Sequence, residues 1–391
     1  MIPGRRLAVT RGVAPRGASI LVSMRSWRAA VVSTLAAAVL SGCAHAPVSR
    51  GRRSPLESLT AESRRDLIRR SQVWTPTDIP AMDMKAGPQG KGAFAPGETI
   101  SCDKTDERGG GKSPKFYCAL SKGDDIKVKY GAWNGEVFAE VAATRLLWAL
   151  GFRADRMYPV RVVCRGCSAD PWHDPRSAPS PVTFDPAATE RRLQGKILES
   201  KPDSGWKWPE LDLVDESRGG APLAHRDALK LLAAMIQHSD NKAPQQRLMC
   251  LPGTEDEARG TCGKPFMMIN DLGVTFGKAN ITNSNSKGST NFENWSRVRV
   301  WKDPDHCVAH VSRSFTGTLS NPHISEAGRK FLADLLVQLS DEQIRDLFET
   351  ARFERRQPKL GQSWPEPASV SRWVEAFKQK RAEIVNATCP Q

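Results

Sequence analysis

Aromatic residues are sparse in this 391-residue chain, at 7% of positions with only three Tyr. Beyond the N-terminal head they nowhere interleave with clusters of Lys and Arg, which argues against a nucleic-acid module. No segment reaches the roughly 20 apolar residues that cross a bilayer as a mature helix. Neither a G-x-S-x-G elbow nor an H-E-x-x-H motif occurs, which removes the commonest serine-hydrolase and zinc-protease patterns. With 39% hydrophobic residues, wholesale disorder and collagen-like repeats are also excluded. The apolar content suits one large bilobal domain or two small ones.

Lysine is missing from the first seventy residues, which hold thirteen Arg and only three acids, Glu57, Glu62 and Asp66. Of the net charge of +14, +10 therefore lies there and +4 in the remaining 321 residues. From Met24 the chain reads two Arg, a mostly apolar run from Ala29 to Leu40, and small residues before Cys43, the layout of a secretory signal. Residues before Met24 are either an overlong start or an extended n-region. The ending Leu40-Ser41-Gly42-Cys43 resembles the lipobox of bacterial lipoproteins. That resemblance implies a signal over residues 1–43 and acyl chains (palmitate among them) on Cys43. It implies membrane anchoring on the periplasmic side of a bacterial envelope; Ala44 in place of Asp points to the outer membrane. Residues 44–75 read as a basic, Pro/Ser-rich tether with a short helix at Ala61 to Gln72.

Eight further cysteines remain: Cys102, Cys118, Cys164, Cys167, Cys250, Cys262, Cys307 and Cys389. An even count in an exported chain suggests a disulfide framework, although eight allow 105 connectivities. Nearest-neighbour pairing proposes 102 with 118, 164 with 167, 250 with 262 and 307 with 389. The Cys164-Arg165-Gly166-Cys167 turn is open to three readings: a structural disulfide, a redox dithiol or half of a zinc site. His306, Cys307 and His310 suggest a metal, but a 307–389 disulfide would leave only the two His.

Strand-like runs at Glu98 to Cys102, Lys115 to Leu120 and Asp125 to Tyr130 precede a helix from Gly135 to Leu150 and a strand at Val160 to Val163. The alternation of Ile126, Val128 and Tyr130 places Lys127 and Lys129 together on the opposite face. Gly151 ends the helix at C′. Residues 96–167 thus form a small mixed lobe. Residues 168–222, rich in Pro, Asp, Ser and scattered Trp, read as a linker or insertion. Residues 223–391 form a mainly helical second part: a core helix at Arg226 to Gln237, a hairpin at Arg247 to Leu251 and Pro265 to Asn270, a polar stretch at Lys278 to Glu293, and helices at Ser325 to Leu339, Ser340 to Arg352 and Ser369 to Val385. The second of these opens with a Ser-x-x-Gln capping box.

Phosphoryl transfer needs a cation on the nucleotide phosphates, an acid that holds that cation, a carboxylate near the incoming hydroxyl, and carboxylates or amides on magnesium. Lys129, Glu140, Asp240, Gln245 and Asp271 supply these in the order of the protein kinase-like fold. Ala139-Glu140-Val141-Ala142-Ala143, followed by Leu146-Leu147 and Leu150-Gly151-Phe152, resembles the αC helix of secretory-pathway (Golgi casein-type) kinases, and more distantly HipA-type and phosphoinositide kinases. Asp240 to Gln245 resembles their catalytic loop, and Asp271-Leu272-Gly273 their metal-binding Asp motif. The resemblance implies an α+β, bilobal kinase-like fold, with a small N-lobe sheet and αC helix above a mainly helical C-lobe. It gives Lys129 the nucleotide phosphates, with Lys127 as the alternative, and Glu140 the pairing acid, with Glu136 as the alternative. Asp240 would orient or deprotonate the acceptor, and Gln245 and Asp271 would hold Mg or Mn for ATP. Gly109, Gly110 and Gly111 would fold over the phosphates. The chain departs from the family in carrying Gln rather than Asn five residues after Asp240, and in lacking the G-x-G-x-x-G spacing. His225-Arg226-Asp227 spells a kinase triplet, but Leu232 stands where its metal-binding amide would be, so it reads as a helix N-terminus.

Three functions fit: an exported, lipid-anchored phosphotransferase acting on an unknown acceptor; a catalytically inactive kinase-like binding protein; or an envelope structural lipoprotein acting through protein contacts.

Overall fold

The computed structural model describes Leu56 and residues 59–198, 204–277, 288–358, 361 and 366–390. The expected signal and Cys43 lie outside the described residues, as do 44–55 and 57–58 of the tether and 278–287 of the polar stretch. Mixed α and β structure fills the rest. Helix α1 (Ala61–Arg69) is N-capped by Thr60, whose hydroxyl accepts the Ser63 N–H. Strands β1 (Thr99–Lys104), β2 (Lys115–Ser121) and β3 (Asp124–Tyr130) then lead into α2 (Glu136–Ala149), which is buried on nearly every face. The helix stops where expected: Gly151 has φ +83°, and a Cβ there would stand 2.1 Å from the Thr75 carbonyl oxygen.

Strand β4 (Arg156–Arg165) follows. The supposed linker contains a ten-residue strand, β5 (Val182–Arg191), which pairs with both β3 and β4. The sheet order is β1-β2-β3-β5-β4, and parallel pairing of β1 with β4 closes it into a barrel rather than an open sheet. Asp185-Pro186 hid β5, because proline demotes a strand pattern. Here it sits where the register with β4 shifts between Val160 and Val162, a bulge that tolerates it. Ile126, Val128 and Tyr130 face the barrel core with Phe116, Val162 and Phe184.

The same "linker" region holds β6 (Lys196–Ile197) and two core tryptophans, Trp206 and Trp208, both fully buried with ring centroids 5.2 Å apart. The Trp206 indole N–H donates to the Met268 carbonyl at 3.1 Å. Helix α3 (Leu223–Met235) is the expected core helix. Strand β7 (Gln246–Cys250), the minor hairpin β8 (Glu255–Asp256) and β9 (Thr261–Cys262), and β10 (Pro265–Ile269) follow, with β7 lying between β10 and β6. After α4 (Phe292–Arg297) come α5 (Glu326–Leu336), α6 (Asp341–Thr350) and α7 (Val370–Val385). The capping box of α6 forms, with Ser340 and Gln343 exchanging hydrogen bonds of 3.0 Å. Asp227 does not answer a helix dipole. It accepts the Ser325 N–H at the start of α5 (3.0 Å) and Lys230 Nζ (3.1 Å), tying α3 to α5.

Four disulfides join 102 to 118, 164 to 167, 250 to 262 and 307 to 389, the pairs that nearest-neighbour spacing proposes. Cys307 is therefore no metal ligand, and His306 instead pairs with Asp303 at 2.9 Å. Among the described residues no helix is long and apolar enough to cross a membrane.

The closed loops span from 3 to 82 residues. In the chain-entropy picture the longest is worth about 4.5 kcal/mol and the shortest about 1.6 kcal/mol. Replacing Cys307 and Cys389 together by Ser should therefore lower the unfolding free energy in urea well beyond the Cys164/Cys167 double replacement. Equal losses would contradict the ranking.

Candidate active site

Strand alternation turns Lys129 out of the barrel core and toward α2, where it is only 1% exposed. Its Nζ lies 2.8 Å from Glu136 Oε2, 2.7 Å from Glu140 Oε2 and 3.7 Å from Asp271 Oδ1. Glu136 and Glu140 are one helical turn apart on α2 and so reach the same point. The two were alternatives in the sequence; the structure uses both. Lys127, the alternative lysine, is instead paired with Glu190.

Asp271 follows β10, and one of its oxygens accepts the Gly273 N–H at 3.0 Å. Gly273 lets the site close: a Cβ there would stand 2.7 Å from Glu136 Oε2. Ser113, from the β1–β2 loop, donates its hydroxyl to the other Glu136 oxygen. Three carboxylates thus surround one ammonium, an excess of negative charge in a poorly solvated place.

Burial opposes charge on Lys129, but Asp271, Glu136 and Glu140 together hold its pKa well above the ordinary lysine value. Burial also raises the Glu140 carboxyl to about 7, with Lys129 opposing. Asp271, despite burial, is held well below the usual carboxylate range by Lys129 and Lys127.

A second lysine belongs to the site and was missed in the sequence. Lys115 on β2 stands directly across from Lys129 in register. Its Nζ contacts the Ser113 carbonyl at 3.1 Å and the face of Trp172 at 5.0 Å. Burial first, and then Lys129, push its pKa down to about 8. The signal was present: Phe116 and Cys118 face inward, so Lys115 shares the Lys129 side of the barrel. The Gly109–Gly111 run lies over this side chain, and a Cβ on Gly109 would meet Lys115 Cε at 2.9 Å.

Asp240 lies after α3. Lys242 Nζ approaches one oxygen at 2.8 Å, the Gln245 amide donates to the same oxygen at 2.9 Å, and the Ser314 hydroxyl reaches the other at 3.4 Å. The two acidic segments are stitched together by backbone bonds: Ser239 N–H to the Val274 carbonyl at 3.1 Å, and Asn270 N–H to the Gln245 carbonyl at 2.9 Å. Asn241, also missed, is fully buried and pins the loop by accepting from Thr318 N–H (2.7 Å) and Leu319 N–H (2.9 Å). Beneath it His238 is fully buried with neither ring nitrogen hydrogen-bonded, and burial lowers its pKa to about 4, so it is neutral. Among the described residues no group of three or more His, Cys, Asp or Glu is arranged to hold a metal alone.

The raised Glu140 pKa has a signed consequence. A carboxyl that binds its proton more tightly folded than unfolded costs stability as pH rises from its ordinary value toward 7. The Tm of Glu140→Gln relative to the unmodified protein should therefore climb between pH 5 and pH 7 and level off above it. A pH-independent difference in thermal melts would show that Glu140 is ionised throughout.

No protein-family model matches the chain, and no curated protein matches it. Among solved structures, the crystal structure of a Helicobacter pylori proinflammatory kinase, CtkA, matches over 74% of this chain and 95% of that chain, with 11% sequence identity and a TM-score of 0.36. A likeness at that level carries no argument about this chain's activity.

Proposed function

We propose that this chain is a kinase-like phosphotransferase, bilobal about the Lys129 site, that moves a phosphoryl group from a nucleoside triphosphate to an acceptor hydroxyl. The observation that carries the reading is the buried Lys129 held by two acids of α2 and facing Asp271. A lysine on the third strand held by acids of the following helix, with an Asp-x-Gly acid opposite, is what phosphate positioning requires. Lys129 would contact the α and β phosphates, and Lys115, across the strand pair, would add a second cation. Asp240 would receive the acceptor hydroxyl. The excess of carboxylates fits a divalent cation, which Asp271 and the Gln245 amide oxygen would hold with help from the phosphates themselves. Such a cation, when bound, neutralises charge developing on the transferred group. The barrel with α2 would be the smaller lobe, and β7, β10 and the helices from α3 onward the larger.

Anchoring by acyl chains on Cys43, on the periplasmic side of the envelope, completes the proposal, and the disulfides support an oxidising compartment. One observation favours a second reading, binding without catalysis: Asp240 is already satisfied within the chain by Lys242 and Gln245.

ATP with Mn²⁺ should raise the Tm of the purified protein. Lys129→Met and Asp271→Asn should abolish that shift, and no shift in the unmodified protein ends the phosphotransferase reading. Asp240→Ala should keep the shift while phosphoryl transfer falls on the order of 10²- to 10⁴-fold; equal turnover in both would favour another base. Cys43→Ser should lose palmitate labelling and move the protein out of the membrane fraction. Retained labelling would refute the anchor.

A further inference from the structure

We propose that Ser314 is a phosphorylation site which this chain modifies in cis, so that the segment around it is the first acceptor of its own active site. The inference rests on the phosphotransferase reading and adds a named substrate to it.

The segment from Val311 to Gly317 runs along the Asp240 loop and is fastened to it. Ser312 N–H donates to Gln237 Oε1 at 3.0 Å, and Ser314 N–H donates to the Ser239 carbonyl at 2.8 Å. Gly317 N–H closes a turn on the Ser314 carbonyl at 3.1 Å, while the Arg313 guanidinium donates to the Gly317 carbonyl at 2.9 Å. This frame aims the Ser314 hydroxyl at Asp240 Oδ1, 3.4 Å away. An acceptor hydroxyl must occupy that position to be oriented by a carboxylate base. Nearby hydroxyls are placed differently. Ser239 is buried and donates to the Gln237 carbonyl, and Thr318 donates to the Asn241 carbonyl. Beyond Ser314 the segment emerges into solvent, with Phe315 fully exposed.

In the transfer step Asp240 takes the proton from Ser314 Oγ as Oγ attacks the γ-phosphorus of a nucleoside triphosphate. The Oγ–P bond forms, the bond from that phosphorus to the β–γ bridging oxygen breaks, and the electron pair leaves on the nucleoside diphosphate. The product places a phosphate of charge about −1.5 to −2 beside the Asp240 carboxylate. Like-charge repulsion then drives the segment off Asp240 and vacates the acceptor position, so the unmodified serine acts as a plug that its own phosphorylation removes.

The purified full chain, incubated with ATP and Mn²⁺, should acquire close to one phosphate per chain, mapped by mass spectrometry to Ser314. Its fractional rate should not change with protein concentration, as an intramolecular reaction requires. Ser314→Ala should stay unmodified at that position yet keep the nucleotide-dependent Tm shift, which shows that it is folded and loaded. Asp240→Asn should keep the shift and lose at least 100-fold in the rate of modification. A nucleotide shift with Ser314 unmodified, or with the phosphate on Ser239 or Thr316 instead, overturns this inference and leaves the nucleotide reading intact. A fractional rate that rises with concentration overturns the cis assignment. Absence of any nucleotide shift overturns both.

Discussion

One buried ammonium organises this molecule. Lys129 belongs to the barrel, Glu136 and Glu140 to α2, and Asp271 to the segment after β10, so three separate parts of the chain meet at a single charge. Moving such groups out of water costs several kcal/mol per ion, and their mutual attraction recovers this only when partners and geometry are complete. A hydrophobic core would serve stability better. What the cluster supplies is position: β3, α2 and the Asp271 turn cannot drift apart without stranding a buried charge. Gly273 follows from the same constraint, since any side chain there would collide with Glu136.

Much of this was legible in the sequence because it was carried by periodicity. Strand alternation put Lys129 away from the barrel core, and helical spacing put Glu136 and Glu140 on one face. Their convergence on one nitrogen needed the three-dimensional path. The missed parts share a cause: their signals were overwritten by residues with strong local meaning. Asp185-Pro186 concealed β5 because proline reads as a break, yet a register shift against β4 absorbs it. Trp206 and Trp208 looked like decoration of a linker and are core anchors. Lys115 was legible only as the first residue of a strand-like run. Only the pairing of Lys115 with Lys129 across β2 and β3 shows two like charges in direct opposition, which is unfavourable unless anions lie beside them.

The disulfides and the ion cluster divide the work of holding the fold. Cys102–Cys118 links β1 to β2 at the barrel, and Cys307–Cys389 fastens the chain's end, beyond α7, to the segment ahead of α5. Neither lies at the Lys129 cluster. Cys102–Cys118 does, however, close the loop that carries Ser113 and Lys115, so one wall of the site is braced covalently while charge and backbone hydrogen bonds, which can rearrange, hold the rest. The +14 of the whole chain fits the same division: most of it lies in the head, and the remainder is close to neutral for its size.

The cluster's charge balance also bears on what the site can hold. Lys129 faces three carboxylates; Lys127 is committed to Glu190, and Lys115, with its pKa down at about 8, is the cation most readily discharged. A polyanion alone would enter against Glu136, Glu140 and Asp271, and a bare divalent cation would enter against Lys129 and Lys115. On the proposed reading, a polyphosphate carrying its own divalent cation would meet both sets of charges at once, phosphate oxygens toward the lysines and metal toward Asp271. On that phosphotransferase reading, mixed charge at one buried point would favour a metal–phosphate complex over either component alone.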